Sequence, residues 1–289
     1  MQKKIINILG NLILVLCFYF ICTTILSAEI NWGEYLNNPI NWVWYTLVIV
    51  IYAGTVWYKG SLYYNIVKIF NSKIDKAHIV NIYVVSNLGK YLPGNVMHFV
   101  GRNVMATKYG ISQFNIGIST ILEILIILFG GITVALLFGY DYLLNVTSYI
   151  EVPYIVAICI LGVVALSVIY IKKNIFLPVL HVIKNNFYEL WRVFTKNCIM
   201  QLVTAMTFLF VIGEMSTDII GIYMLAWTIG FVMPGAPGGI GVRESILIFL
   251  LPMIGISVET VVATTIIHRV FNIIAEIVAF ALTKVRRLS

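Results

Sequence analysis

Four cations, Lys90, Arg102, Arg243 and Arg269, stand in or beside strongly apolar stretches of this chain. A charge near the middle of a bilayer costs at least about 2.5–3.5 kcal/mol, so such residues face protein or a wet cavity and mark functional places. Arginine presents a planar fork of donors and lysine a point charge, and both suit an anionic group, phosphate above all. Three carboxylates, Glu123, Glu244 and Glu276, are positioned to offset that charge when no ligand is bound. Other polar residues follow helical spacing. Asn115, Ser119 and Glu123 recur every four residues, and Thr265, His268, Arg269, Asn272 and Glu276 form one stripe. Within it, His268 and Glu123 are the groups suited to coupling by proton transfer. The competing reading is a structural ion pair, for example Glu123 with Arg269.

Two interrupted stretches must position these side chains. The first, HIVNIYVVSNLGKYLPGNVMHFVGR, occupies residues 78–102 and is broken at Pro93-Gly94. The second begins MPGAPGGIGVRE at residue 233, with Pro234 and Pro237 as breaks, and continues through a short apolar segment to about residue 256. Proline and glycine disfavour a continuous helix. Irregular backbone at membrane depth persists only when it is buried in protein or lines a cavity. Freed amides at a half-helix N-terminus bind anions. Gly238, Gly239 and Gly241 are therefore expected to form a backbone anion site, with Arg243 in the first turn of the following helix. The paired breaks hint at an internal repeat, the usual builder of transporter sites. The alternative is that each Pro-Gly is a plain cytoplasmic turn.

The elements around these breaks follow from composition. Of 289 residues, 61% are hydrophobic and 11% charged, and the mean hydropathy is +0.97. Soluble domains carry about 25% charged residues. The expectation is an all-α polytopic membrane protein forming a single integral membrane domain over residues 1–289. Helices are required because backbone groups in lipid must be satisfied within their own segment. Long spans are expected at about 5–26, 42–57, 111–138, 153–171, 198–212, 219–233 and 261–282. With a short crossing at about 245–256, they make about eight transmembrane helices, and the broken or re-entrant segments fall near 78–102 and 233–256.

The net charge of +7 is distributed by loop. Lys and Arg collect at Lys3-Lys4, Lys59 to Lys76, Lys90 to Lys108, Lys172 to Lys196 and Lys284 to Arg287, whereas Glu29, Glu34, Asp141, Glu151, Glu214, Asp218 and Glu259 fill the alternate loops. The positive-inside rule then places both termini in the cytoplasm, in the cytoplasmic membrane. Dispersed cations do not make a nucleic-acid surface. Cys17, Cys22, Cys159 and Cys198 lie in or at the edge of apolar runs without a CxxC, so neither a disulfide nor a metal site is expected. The chain has no GxxxxGK[ST] phosphate loop, and no cofactor is expected.

The pairing of KYLPGNVMHFVGR with FVMPGAPGGIGVRE resembles the membrane region of the lysylphosphatidylglycerol synthases, a flippase-like domain that also occurs alone. PGGIGVRE carries the resemblance through Gly238, Gly239, Gly241, Arg243 and Glu244; KYLPG adds Lys90, Tyr91, Leu92, Pro93 and Gly94, with Gly101-Arg102 downstream. The layout of essentially the whole chain is similar. In the two-part members this region moves an aminoacylated lipid between leaflets, and a separate soluble domain synthesises it. The last span runs almost to Ser289, so the resemblance is to the membrane region alone and does not extend to aminoacyl transfer.

The leading expectation is a translocator for an amphiphile with an anionic head, either a phospholipid or a polyprenyl-phosphate-linked precursor, in envelope lipid or polysaccharide assembly. Membrane lipids are the expected partners, with envelope biosynthesis enzymes as possible protein partners. Two alternatives remain open: an intramembrane enzyme modifying a lipid headgroup, and a structural accessory of an envelope synthesis complex.

Overall fold

The computed structural model describes residues 30–70, 74–91, 97–147, 173–233 and 236–288. Every regular element among them is helical. The ten α-helices are α1 (Trp32–Leu36), α2 (Pro39–Lys68), α3 (Lys76–Asn87), α4 (Met97–Thr107), α5 (Gln113–Thr147), α6 (Lys173–Asn185), α7 (Phe187–Ile212), α8 (Thr217–Val232), α9 (Val242–Leu250) and α10 (Val258–Leu288). The protein is thus an all-α membrane protein. Four apolar stretches, Ile40–Lys68, Gln113–Tyr140, Phe187–Ile212 and Val258–Thr283, are 26–29 residues long and can each cross a bilayer. At 1.5 Å per residue they reach about 40 Å. The expected spans at 5–26 and 153–171 lie outside the described residues.

Local signals account for the helix ends. Asn38 caps α2, its side chain accepting from the Ile40 amide at 3.0 Å, and Pro39 opens the helix, where a missing N–H costs nothing. Ser216 caps α8 by accepting from the Asp218 amide at 3.2 Å. Gly213, at φ +78°, closes α7 in the left-handed conformation.

One sequence expectation needs correction. Helix α2 does not end near Trp57 but continues to Lys68. Lys59 is consequently not a loop residue: it stands nine residues inside the helix, about 14 Å along the axis from its end. Apolar residues on both sides of WYKG keep the helix packed, with Leu62, Tyr63 and Ile66 buried. In the broken segment expected at 78–102, the described residues form α3 and α4, with a tight 3₁₀ turn at Leu88–Tyr91 following α3. Pro93 and Gly94 fall outside the described residues, as does Pro234.

The second break does form a half-helix. A 3₁₀ turn at Pro237–Gly239 leads into α9, which has nine residues and spans only about 14 Å. A further 3₁₀ turn at Leu251–Ile254 and Gly255, at φ +91°, carries the chain to the start of α10. There Tyr35 donates to Thr260 at 3.4 Å, so the start of α10 adjoins α1. Helix α9 accordingly covers the distance between that end of the bundle and its interior.

Helices α5 and α8 cross at unusually close range. Their backbones touch at Gly139 and Gly221, and Gly131 faces Thr228 Oγ1 where a methyl group would collide. Gly139 departs from helical geometry at φ −118°, which kinks α5 at the crossing. Small residues promote this approach, as expected for Gly130-Gly131. The core around it unites α5, α7, α8, α9 and α10 through Val134, Phe208, Ile219, Tyr223, Met224, Leu247 and Val261. The cations separate along the bundle. Lys68, Arg192 and Lys196 gather with Glu189 around one hollow, and Lys76 with Asp75 lines another beside Thr283 near the end of α10, whereas Glu34 flanks the opposite end, beside Gly213.

Candidate functional site

Parts of α2, α3, α4, α5, α7, α8, α9, α10 and the 3₁₀ turns at 88–91 and 237–239 line one hollow, partly open to the outside. Lys59, Lys90, Arg102, Arg243 and Arg269 all line it, together with Glu123 and Glu276. The four cations singled out from the sequence therefore converge, although they come from four separate elements. Lys59 is a fifth that the sequence reading left in a loop.

The two breaks meet at this hollow. A side-chain carbon placed on Gly238 would lie 3.3 Å from the Tyr91 ring, so the turn at 237–239 rests on the turn at 88–91. Gly239 is equally confined, because a Cβ there would come within 2.9 Å of the Gly230 carbonyl on α8. Both glycines have positive φ, +60° and +73°, a region that L-residues with side chains disfavour. The glycine run thus serves two physical needs: a left-handed turn, and contact with both α8 and the first break.

The expected backbone anion site is altered by an internal acceptor. The Gly241 amide donates to Glu244 Oε2 at 2.7 Å, and the Gly239 amide donates to the Ala236 carbonyl at 2.9 Å. Two of the three glycine amides are already satisfied, because Glu244 in the first turn of α9 folds back as a carboxylate cap. Recognition of an anion at the hollow then falls to side chains.

Three ion pairs organise the charge. Arg102 donates to Glu123, and its Nε donates to Ser86 Oγ at 3.3 Å. Its guanidinium lies 4.5 Å from the Tyr63 ring centroid and 4.2 Å from that of Tyr83. With 1% exposure, Arg102 is enclosed on every side. Lys90 donates to Glu276 and stands 5.2 Å from the Tyr91 ring centroid. Arg269 Nη1 is 3.5 Å from Glu244 Oε1, and its Nη2 donates to the Gly238 carbonyl at 3.0 Å. The pairing of Glu123 with Arg269 expected as a structural possibility does not occur. α4 brings Arg102 to Glu123 instead, and Arg269 pins the glycine turn.

Arg243 and Lys59 have no carboxylate partner among the described residues. Arg243 is 9% exposed, its Nε has no hydrogen-bond partner, and its charge faces the Trp227 ring at 5.4 Å. Lys59 donates to Thr204 Oγ1 at 3.3 Å and stands 5.7 Å from the same ring.

The polar stripe of α10 divides in two. Arg269, Asn272 and Glu276 line the hollow. His268 turns instead into the core, where it bonds Thr207 at 3.0 Å and Asn272 at 3.3 Å between the rings of Phe208 and Tyr223. Its role in the described structure is to join α7 to α10. Sequence reasoning also missed Asn197 and Gln201 on α7. Their side chains donate to the carbonyls of Ile126 at 3.2 Å and Ile127 at 2.8 Å, reaching the α5 backbone beside Gly130. Asn197, Gln201 and Thr204 are spaced i, i+4, i+7 in the mainly apolar stretch of α7 that follows Lys196, a signal that identifies a polar face. No cluster of potential metal ligands occurs among the described residues. Compared with known proteins, the chain matches no family model and no curated protein.

Proposed function

We propose that this protein translocates, across the cytoplasmic membrane, an amphiphile with an anionic head: a phospholipid or a polyprenyl-phosphate-linked precursor used in envelope assembly. One observation carries the reading: five cations and three carboxylates lie around a single hollow enclosed by helices long enough to span a bilayer. Net positive charge in such a setting is costly unless a counter-charge enters. The head occupies the hollow while the tails stay in lipid. The two turns that meet at Gly238 and Tyr91 supply the non-helical joints at which the hollow opens toward either leaflet. Segregation of Lys and Arg along the bundle supports the cytoplasmic placement of its basic end. The resemblance carried by KYLPG and PGGIGVRE agrees with this activity.

Reconstitution tests it. Vesicles containing the protein and a headgroup-labelled anionic lipid should expose the label to an external quencher faster than protein-free vesicles. Arg243→Gln should bring that rate back toward the protein-free value, while lipid mass stays unchanged. Equal rates with and without protein would refute translocation, and a change in lipid mass would favour headgroup chemistry.

A further inference from the structure

We infer that the hollow is built for a doubly charged phosphate group, a phosphomonoester or diphosphate, in preference to the singly charged phosphodiester of ordinary phospholipids. This rests on the anionic-amphiphile reading above and narrows its substrate class. The argument is one of charge and place. Lys90, Arg102 and Arg269 each have a carboxylate of their own in Glu276, Glu123 and Glu244. Five cations against three carboxylates leave an excess of two positive charges, and the structure locates that excess. It belongs to Lys59 and Arg243, both set against Trp227, with their charged ends within about 11 Å of each other.

Neither cation is held as a structural residue would be. Arg243 is more than nine-tenths buried, lines the hollow, and keeps an unpartnered Nε. A ring face stabilises a desolvated cation less than an ion pair does in the same surroundings. Among the described residues Lys59 has one hydroxyl for its three donors. A phosphomonoester offers three terminal oxygens and about two negative charges near neutral pH. That matches a guanidinium fork and an ammonium placed about one aromatic ring. A phosphodiester brings a single charge and leaves one cation uncompensated. The three existing pairs need not break for such a head to bind, so the empty and loaded hollow differ chiefly at Lys59, Arg243 and Trp227.

The test compares phosphatidic acid, phosphatidylglycerol and phosphatidylcholine with identical acyl chains. Each competes against a fluorescent lipid for the purified full chain in detergent. Phosphatidic acid should bind at least about tenfold more tightly than phosphatidylglycerol near pH 7.5. The advantage should fall to about twofold near pH 5, where the second proton returns to the monoester. The charged and titratable groups that share the hollow with the two cations are Lys90, Arg102, Arg269, Glu123, Glu276, His98 and the tyrosines Tyr52, Tyr83 and Tyr91. Any proton these groups gained at the lower pH would add positive charge and raise the preference for the doubly charged head, so a fall in the ratio reports the head itself. Lys59→Gln and Arg243→Gln should each reduce the ratio at the higher pH, and Arg243→Lys should restore part of it.

Equal binding of phosphatidic acid and phosphatidylglycerol, both above phosphatidylcholine, would overturn the dianion inference and leave the anionic-head reading standing. Binding of all three lipids alike would overturn both. Displacement by inorganic phosphate as effective as by phosphatidic acid would keep the dianion and refute the lipid as its source.

Discussion

The pair formed by Arg102 and Glu123 yields the sharpest energetic prediction. Both side chains are buried, at 1% and 7% exposure. The guanidinium is bounded by Tyr63, Tyr83 and the Ser86 hydroxyl. Replacing Glu123 by Gln keeps the volume and removes the only full counter-charge Arg102 has among the described residues. Two ring faces at 4.2–4.5 Å supply at most about 2 kcal/mol each, whereas breaking a buried pair from one side costs about 3–5 kcal/mol. The loss for Glu123→Gln should therefore be about 3 kcal/mol. Arg102→Met should cost less. An isolated carboxyl can neutralise by taking a proton, while a guanidinium has no such escape. Combining Arg102→Met with Glu123→Gln should return stability to within about 1–2 kcal/mol of the parent, because the double variant leaves no uncompensated charge. Equilibrium unfolding in mixed micelles, followed by near-ultraviolet circular dichroism, measures all four proteins as a double-mutant cycle. A Glu123→Gln variant within about 1 kcal/mol of the parent, or a double variant no better than the worse single one, would refute the reasoning that this pair is desolvated and mutually dependent.

Other positions separate side-chain from backbone constraints. Gly131→Ala should destabilise by about 1–3 kcal/mol, and Thr228→Ala should recover most of it, since the added methyl meets only Thr228 Oγ1 at collision range. Gly221→Ala should be as damaging and resist such rescue, because its obstacle is the Gly139 backbone; the same unfolding assay distinguishes them. Glu244→Ala should cost about 1–2 kcal/mol by exposing the Gly241 amide and releasing Arg269, and hydrogen exchange should show faster opening of residues 237–245. His268→Gln should lower stability yet leave the pH profile of vesicle translocation unchanged, since the ring faces Thr207 and Asn272 rather than the hollow; an altered profile would restore His268 as a proton-coupling group.

Much of the site was legible because membranes punish exceptions. In a chain with 11% charged residues, Arg243, Arg269, Glu123 and Glu276 inside apolar runs stand out from composition alone. The breaks at KYLPG and PGAPGG stand out because clustered proline and glycine disfavour a continuous helix. Lys59 was not legible. Beside a tyrosine and a glycine at the edge of an apolar run it reads as the start of a basic loop, and only tertiary packing carries α2 through to Lys68. The partner of each charge was equally hidden, since helical spacing sets which face a residue occupies and not which helix faces it.

Sequence by itself determined that the chain is helical, lies in a membrane and is interrupted twice, because hydropathy and backbone chemistry act locally. Tertiary structure alone decided that the interruptions touch, that Glu123 pairs with Arg102 while Arg269 holds Gly238, and that His268 faces the core. It also decided that Lys59 and Arg243 remain without a carboxylate partner among the described residues. Those outcomes depend on which helices pack together, and packing is set by shape at contacts such as Gly139 against Gly221, where no short stretch of sequence contains both partners.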